Sequence, residues 1–210
     1  SNDMQSKRRG DPPLPLVEQA TVIEAPVDQS TLTKRYTEAA IGFITENKTK
    51  PFFVYLPHTF PHLPLFASPD FLGKSANGRY GDSVEEIDWS TGQILASLDR
   101  LGIADNTLVI FTSDNGSNGR NGGSNQPLSG MKGSTMEGGM RVPMLAKWSG
   151  QIKPGSVCNE LATTMDLLPT FCKLAGAKMP KQKIDGFDLK PGFKGMASDT
   201  GSDQTMFKGV

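Results

Sequence analysis

The chain has 210 residues, with 22 basic against 22 acidic side chains, 36% hydrophobic and 8% aromatic content. That length is enough for one sizeable core, the charge balance offers nucleic acid no bulk attraction, and no apolar run reaches the ~18 residues a membrane span needs. Two cysteines, Cys158 and Cys172, are too few for a disulfide framework and lack the spacing of a metal site.

Residues 1–30 are polar and proline-bearing, with short apolar pieces at Leu14-Pro-Leu16-Val17 and Thr21-Val-Ile23, and read as irregular chain with one or two short strands. Asp28-Gln-Ser30-Thr31 then carries helix-start chemistry. Leu32, Tyr36, Ala39, Ala40, Phe43 and Ile44 follow at helical spacing to about Asn47. Phe52–Leu56 reads as a strand closed by Pro57. Prolines 57, 61, 64 and 69 exclude a helix from the next stretch, which holds both histidines, His58 and His62. Gly81-Asp82-Ser83 opens a second helix, with Val84, Ile87, Thr91, Ile94, Leu95, Leu98 and Leu101 on one face and Gly102 as its stop.

Thr107–Ser113 is β-branched and apolar throughout, the pattern of a strand buried on both faces. It breaks at once into Asp114-Asn115-Gly116, followed by a loop with eight glycines from Gly116 to Gly139 and with Lys132, Glu137 and Arg141 among them. A strand at Val142–Trp148, a turn at Ile152–Gly155 and a helix at Thr164–Leu174 come next, the helix stopped by Gly176 and carrying Asp166 near its positive end. Beyond Pro180 polar residues increase, and Met196–Val210 has no periodicity. Helix alternating with strand predicts an α/β fold with a doubly wound, mostly parallel sheet and flanking helices.

Chemistry concentrates after the Thr107–Ser113 strand. A carboxylate and an amide oxygen at a strand end, Asp114 and Asn115, suit a hard divalent cation, and ligands in α/β sheets gather at that edge. Asn-Gly after a strand is also a hairpin signal, but residues 117–127 carry no apolar alternation for a returning strand. A solvated Gly/Asn-rich loop is the other reading. Lys132 sits between Gly130 and Gly133, small neighbours that permit close approach of a ligand, although lone loop lysines are mostly solvated charges. It is not a P-loop lysine, because Gly133 stands where Ser or Thr is needed. His58 and His62 have the spacing of a helical zinc pair, which Pro61 excludes. Glu137 and Arg141 read as an ion pair that shapes the loop. Asn47-Lys-Thr49 and Asn115-Gly-Ser117 both fit the N-glycosylation pattern.

Several stretches together resemble the formylglycine-dependent sulfatases of the arylsulfatase type. They are Ser113-Asp-Asn-Gly116, Gly130-Met-Lys-Gly133 through Glu137-Gly-Gly-Met-Arg141-Val-Pro143, Pro51–His62, and Leu161–Thr170. The likeness runs roughly from residue 12 to 190. It implies an alkaline-phosphatase-like fold and hydrolysis of a sulfuric ester, aryl or carbohydrate. Asp114 and Asn115 match calcium ligands, Lys132 matches a residue that touches a sulfate oxygen and the leaving oxygen, and His62 matches a sulfate ligand and proton donor. His58 has no family role and is expected to face solvent or support the site from behind.

The family's paired aspartates and its Cys-x-Pro-x-Arg segment, whose cysteine or serine becomes formylglycine, are missing from this chain. Cys158 is followed by Asn159-Glu160 and Cys172 by Lys173-Leu174, so neither fits. The resemblance therefore implies residues 1–190 as the C-terminal part of a sulfatase catalytic domain and 191–210 as an irregular tail. The nucleophile would lie upstream. Export to a periplasm, lysosome or extracellular space is implied by resemblance alone. Two other readings are kept: a phosphodiesterase or phosphonate hydrolase of the same superfold, and a non-catalytic relative that binds sulfated glycans.

Overall fold

The computed structural model describes residues 13–189 and the backbone of 207–208. The first twelve residues and most of the 191–210 tail lie outside the described residues. The chain divides into two compact units that meet in sequence at Ser97 and Leu98.

The first unit opens with an antiparallel hairpin, β1 (Leu16–Glu18) and β2 (Thr21–Glu24), in which Val17 faces Val22. Asp28 then starts a 3-10 turn by accepting from the Ser30 backbone N–H at 3.0 Å, and α1 runs on from Leu32 to Asn47. This is the helix the periodicity predicts. α2 (Gly78–Arg100) begins three residues before the expected Gly81. Its end is the expected one: Gly102 takes φ +70°, its N–H donates to Asp99 O, and Ile103 N–H donates back to Leu98 O, which is Schellman geometry. Val27, Leu32, Phe60 and Ile87 form the buried cluster, with Leu16, Tyr36 and Phe66 packed on it.

Two expectations for this unit change. Residues 52–56, expected as a strand, join neither described sheet and take no regular secondary structure. A run of apolar and aromatic residues marks β-propensity, but a strand also needs a ladder partner. The buried face of α2 is also more polar than the apolar spacing suggests: Ser83, Glu86, Ser90 and Ser97 are buried, whereas Val84 is 41% exposed. Ser83 Oγ donates to Phe66 O at 2.9 Å, and Glu86 Oε2 accepts the Ser68 N–H at 2.9 Å. Small hydroxyls with partners cost little to bury, whereas Glu86 keeps Oε1 without a partner among the described residues.

In the second unit β3 (Val109–Thr112) pairs antiparallel with β4 (Pro143–Lys147), Val109 facing Lys147 and Thr112 facing Met144. β5 (Phe207–Lys208) pairs antiparallel on the far side of β4. The expectation of parallel strands is therefore not met among the described residues. A parallel pair needs a crossover, usually a helix. Between β3 and β4 there is only α3 (Glu137–Met140), one turn long, because the glycine-rich stretch cannot sustain more. Among the described residues β3 also stands at an edge of its sheet instead of the centre, half-buried, with Phe111 36% exposed.

The core of this unit is Met144, Ile152, Cys158 and Ala162, flanked by Leu108, Ile110, Ala146, Trp148, Leu167 and Leu189. α4 (Leu167–Ala175) follows a capping box in which Thr163 and Asp166 satisfy each other, and Gly176 closes it at φ +64°. Cys158 is buried and Cys172 is half-buried; both are free thiols. Among the described residues no helix is long and apolar enough to cross a membrane.

Candidate active site

β3 delivers its last residues to the start of the glycine-rich loop. Ser113 Oγ donates to Asn115 O at 3.1 Å, which turns the chain tightly after the strand. Asp114 is exposed, and the Asn115 amide nitrogen donates to its Oδ2. The remaining side-chain oxygens, Asp114 Oδ1 and Asn115 Oδ1, are hard donors at one point, suited to calcium as part of a ligand set. They are not a complete one, since calcium takes ~6–8 oxygens. Among the described residues no group of three or more His, Cys, Asp or Glu side chains could hold a metal.

The loop returns to this point along its own backbone. Gly116 N–H donates to Gly139 O at 3.0 Å, Gly138 N–H to Ser129 O at 2.7 Å, and Lys132 N–H to Ser117 O at 2.9 Å. Backbone thus packs on backbone, which explains two of the glycines. A Cβ at Gly116 would run into Gly138 O, and one at Gly138 into Gly130 O and Ser129 O. Lys132 is exposed and makes no ion pair among the described residues. The expected pair forms at the far end of the same loop, Arg141 Nη1 to Glu137 Oε2 at 3.1 Å. Asp114, Asn115 and Lys132 therefore share one loop system, joined through Ser117.

His62 belongs to the first unit. It is exposed, and its Nδ1 lies 2.7 Å from Leu63 O. A carbonyl can only accept, so Nδ1 carries the proton and Nε2 is the atom presented outward. The proline-rich segment that bears it is tied to α2 at Phe66 and Ser68.

Of the two expectations for His58, the solvent-facing one is not met. The residue is half-buried, with Nε2 3.4 Å from Ser90 Oγ and with Nδ1 buried and lacking a partner among the described residues. Ser90 lies 2.6 Å from Thr37 Oγ1, whose own hydrogen goes to Thr33 O at 2.7 Å. Ser90 must then donate to Thr37 and accept from His58, so Nε2 holds the imidazole proton. Burial lowers the His58 pKa from its ordinary value. The sequence holds a signal for this arrangement, serines at 83, 90 and 97 at heptad spacing on one helix face, but apolar periodicity passes over it.

A family model described as Sulfatase matches residues 2–177. Rat steryl-sulfatase is 46% identical over 180 residues, which cover 81% of this chain and 31% of the relative. Mouse N-acetylgalactosamine-6-sulfatase is 47% identical over 179 residues, 80% of this chain and 34% of the relative. The chain thus spans about a third of the length of the curated relatives it matches. Among solved structures, PsFucS1 sulfatase from Pseudoalteromonas sp. superposes with a TM-score of 0.77 at 32% identity, covering 84% of this chain and 37% of that one. Ps i-CgsB in complex with k-i-k-neocarrahexaose gives 0.76 at 35%, covering 87% and 42%.

Proposed function

The chain belongs to the sulfatase family, and on that premise we propose that it is part of a longer, calcium-dependent, formylglycine-using sulfuric ester hydrolase. Its substrate would be an aryl or carbohydrate sulfate. Its strands would join a larger, mostly parallel sheet of the alkaline-phosphatase type, in a protein that is exported.

The observation that carries the reading is the shared loop. A lysine without an ion pair among the described residues and a strand-end Asp-Asn pair are held together by backbone bonds through Ser117. Asp114 and Asn115 would hold the calcium ion, which when bound neutralises charge on the sulfuryl oxygens. Formylglycine, expected outside these 210 residues, would supply the nucleophilic hydroxyl. Lys132 Nζ would bind a sulfate oxygen and stabilise the leaving oxygen as its S–O bond breaks. His62 Nε2, in its imidazolium form, would bind sulfate and pass its proton to that leaving oxygen, while the Nδ1 bond to Leu63 O keeps the ring oriented.

The test is turnover of a nitrophenyl sulfate by the longer protein. Lys132→Ala is expected to lower kcat by ~10²–10³, more than it raises KM. A change confined to KM would make Lys132 a ground-state binder. Preference for a phosphodiester or phosphonate would support the phosphodiesterase alternative. Binding of sulfated glycan without turnover would support the non-catalytic one.

A further inference from the structure

We propose that Asn125, whose side chain bridges the two arms of the glycine-rich loop, is the positioning residue that aims Lys132 at the leaving oxygen. The inference rests on the sulfatase reading and adds to it a residue that touches neither substrate nor metal.

Asn125 is half-buried and uses its whole amide. Oδ1 accepts the Ser117 N–H at 2.7 Å, and Nδ2 donates to Ser117 O at 2.8 Å and to Gly130 O at 3.2 Å. The amide thus pairs with both polar groups of Ser117 as a neighbouring strand would, and its second N–H holds the chain two residues before Lys132. Ser117 O accepts twice, from Asn125 and from the Lys132 N–H at 2.9 Å. Ser117 lies two residues beyond Asp114-Asn115, so this one side chain ties the Asp-Asn end of β3 to the backbone of Lys132. Exposed loops with so many glycines have high conformational entropy, and such an anchor removes it at the point that matters.

The geometry also fixes which side chains can serve. Aspartate keeps the acceptor but loses both donors and sets a negative oxygen against two carbonyls. Alanine loses all three bonds. The Gly116 position is shaped to match, since a Cβ there would crowd Asn125 Oδ1 at 3.3 Å.

The test is a double-mutant cycle in the longer protein, with Asn125→Asp and Asn125→Ala each made alone and with Lys132→Ala. A displacement of about 1 Å costs on the order of 10²-fold in rate. Each single Asn125 variant is therefore expected to lose ~10²-fold in kcat with KM little changed. The loss should be larger for esters of weakly acidic alcohols than for nitrophenyl sulfate, because the former depend more on help at the leaving oxygen. In the Lys132→Ala background the Asn125 changes should cost almost nothing further. Equal losses for all leaving groups, or additive losses in the cycle, would overturn the proposal and leave Asn125 as scaffold only. Hydrogen exchange at the Lys132 amide is measured in parallel and is expected to accelerate in both Asn125 variants; unchanged protection would overturn the proposal too. If the wild-type protein turns over no sulfate ester, the functional reading fails, while the exchange data still report whether Asn125 holds the loop.

Discussion

Glu86 offers the sharpest stability test, because two substitutions there separate a hydrogen bond from a charge. It is 1% exposed, Oε2 accepts the N–H of Ser68, itself 9% exposed, and Oε1 is buried with no partner among the described residues. Glu86→Ala leaves the Ser68 N–H buried without an acceptor, which costs about 1–3 kcal/mol. It also opens a void in a closed site, where deletion of a side chain of this length costs about 2–5 kcal/mol. The two overlap, so about 3–5 kcal/mol is expected. For 150–250 residues each kcal/mol lowers Tm by about 2–4 °C. Glu86→Gln keeps the volume and an acceptor for Ser68, but sets an amide NH2 where Oε1 makes no bond among the described residues. It should cost less than Glu86→Ala, about 1–3 kcal/mol for the donors left without acceptors. Thermal unfolding of the longer protein, followed by circular dichroism, measures both. If Glu86→Gln were as damaging as Glu86→Ala, the hydrogen-bond argument would be refuted and the charge itself would be required.

Asp82 accepts from the backbone N–H groups of Gly73 at 2.9 Å, Ser75 at 2.8 Å and Lys74 at 3.1 Å, which lower its pKa from the ordinary 3.8. Its stabilisation is present above about pH 3.8 and is lost as pH falls through the lower folded value; acid titration of unfolding should lose that component in Asp82→Asn, and an unchanged acid limb would exclude Asp82 as its source. His58 acts in the same sense at higher pH, though through its neutral form: burial lowers its pKa below 6.5, so the unfolded chain takes up a proton that the folded chain resists. Stability should therefore fall as pH drops below about 6.5, and urea midpoints at neutral and mildly acidic pH should show this in wild type and not in His58→Gln; equal slopes would show that His58 is not buried neutral. Residues 1–210 expressed alone should release no nitrophenol from nitrophenyl sulfate and should bind calcium weakly by calorimetry, since Asp114 and Asn115 bring one negative charge and only part of a ligand set. Micromolar affinity would show that the other ligands lie within this chain.

Features that a few adjacent residues specify are legible in the amino-acid sequence itself. Gly102 and Gly176 stop their helices because glycine takes positive φ without strain, and Asp28 starts one because its carboxylate reaches a backbone N–H two residues on. The Asp114–Lys132 loop is legible as a candidate site for a related reason, since strand, turn and glycines are contiguous. Tertiary structure alone decides what depends on distant partners. Residues 52–56 form no strand for want of a ladder, and β3 pairs antiparallel with β4 because the loop between them holds only one helical turn. His58 turns inward onto Ser90, 32 residues away, and Ser90 onto Thr37, 53 away. Asn125, one of several asparagines in a polar loop, acquires a role only through what its amide meets. Periodicity records which side chains avoid water, whereas a buried hydrogen bond depends on two groups meeting in space, and local sequence carries no record of that meeting.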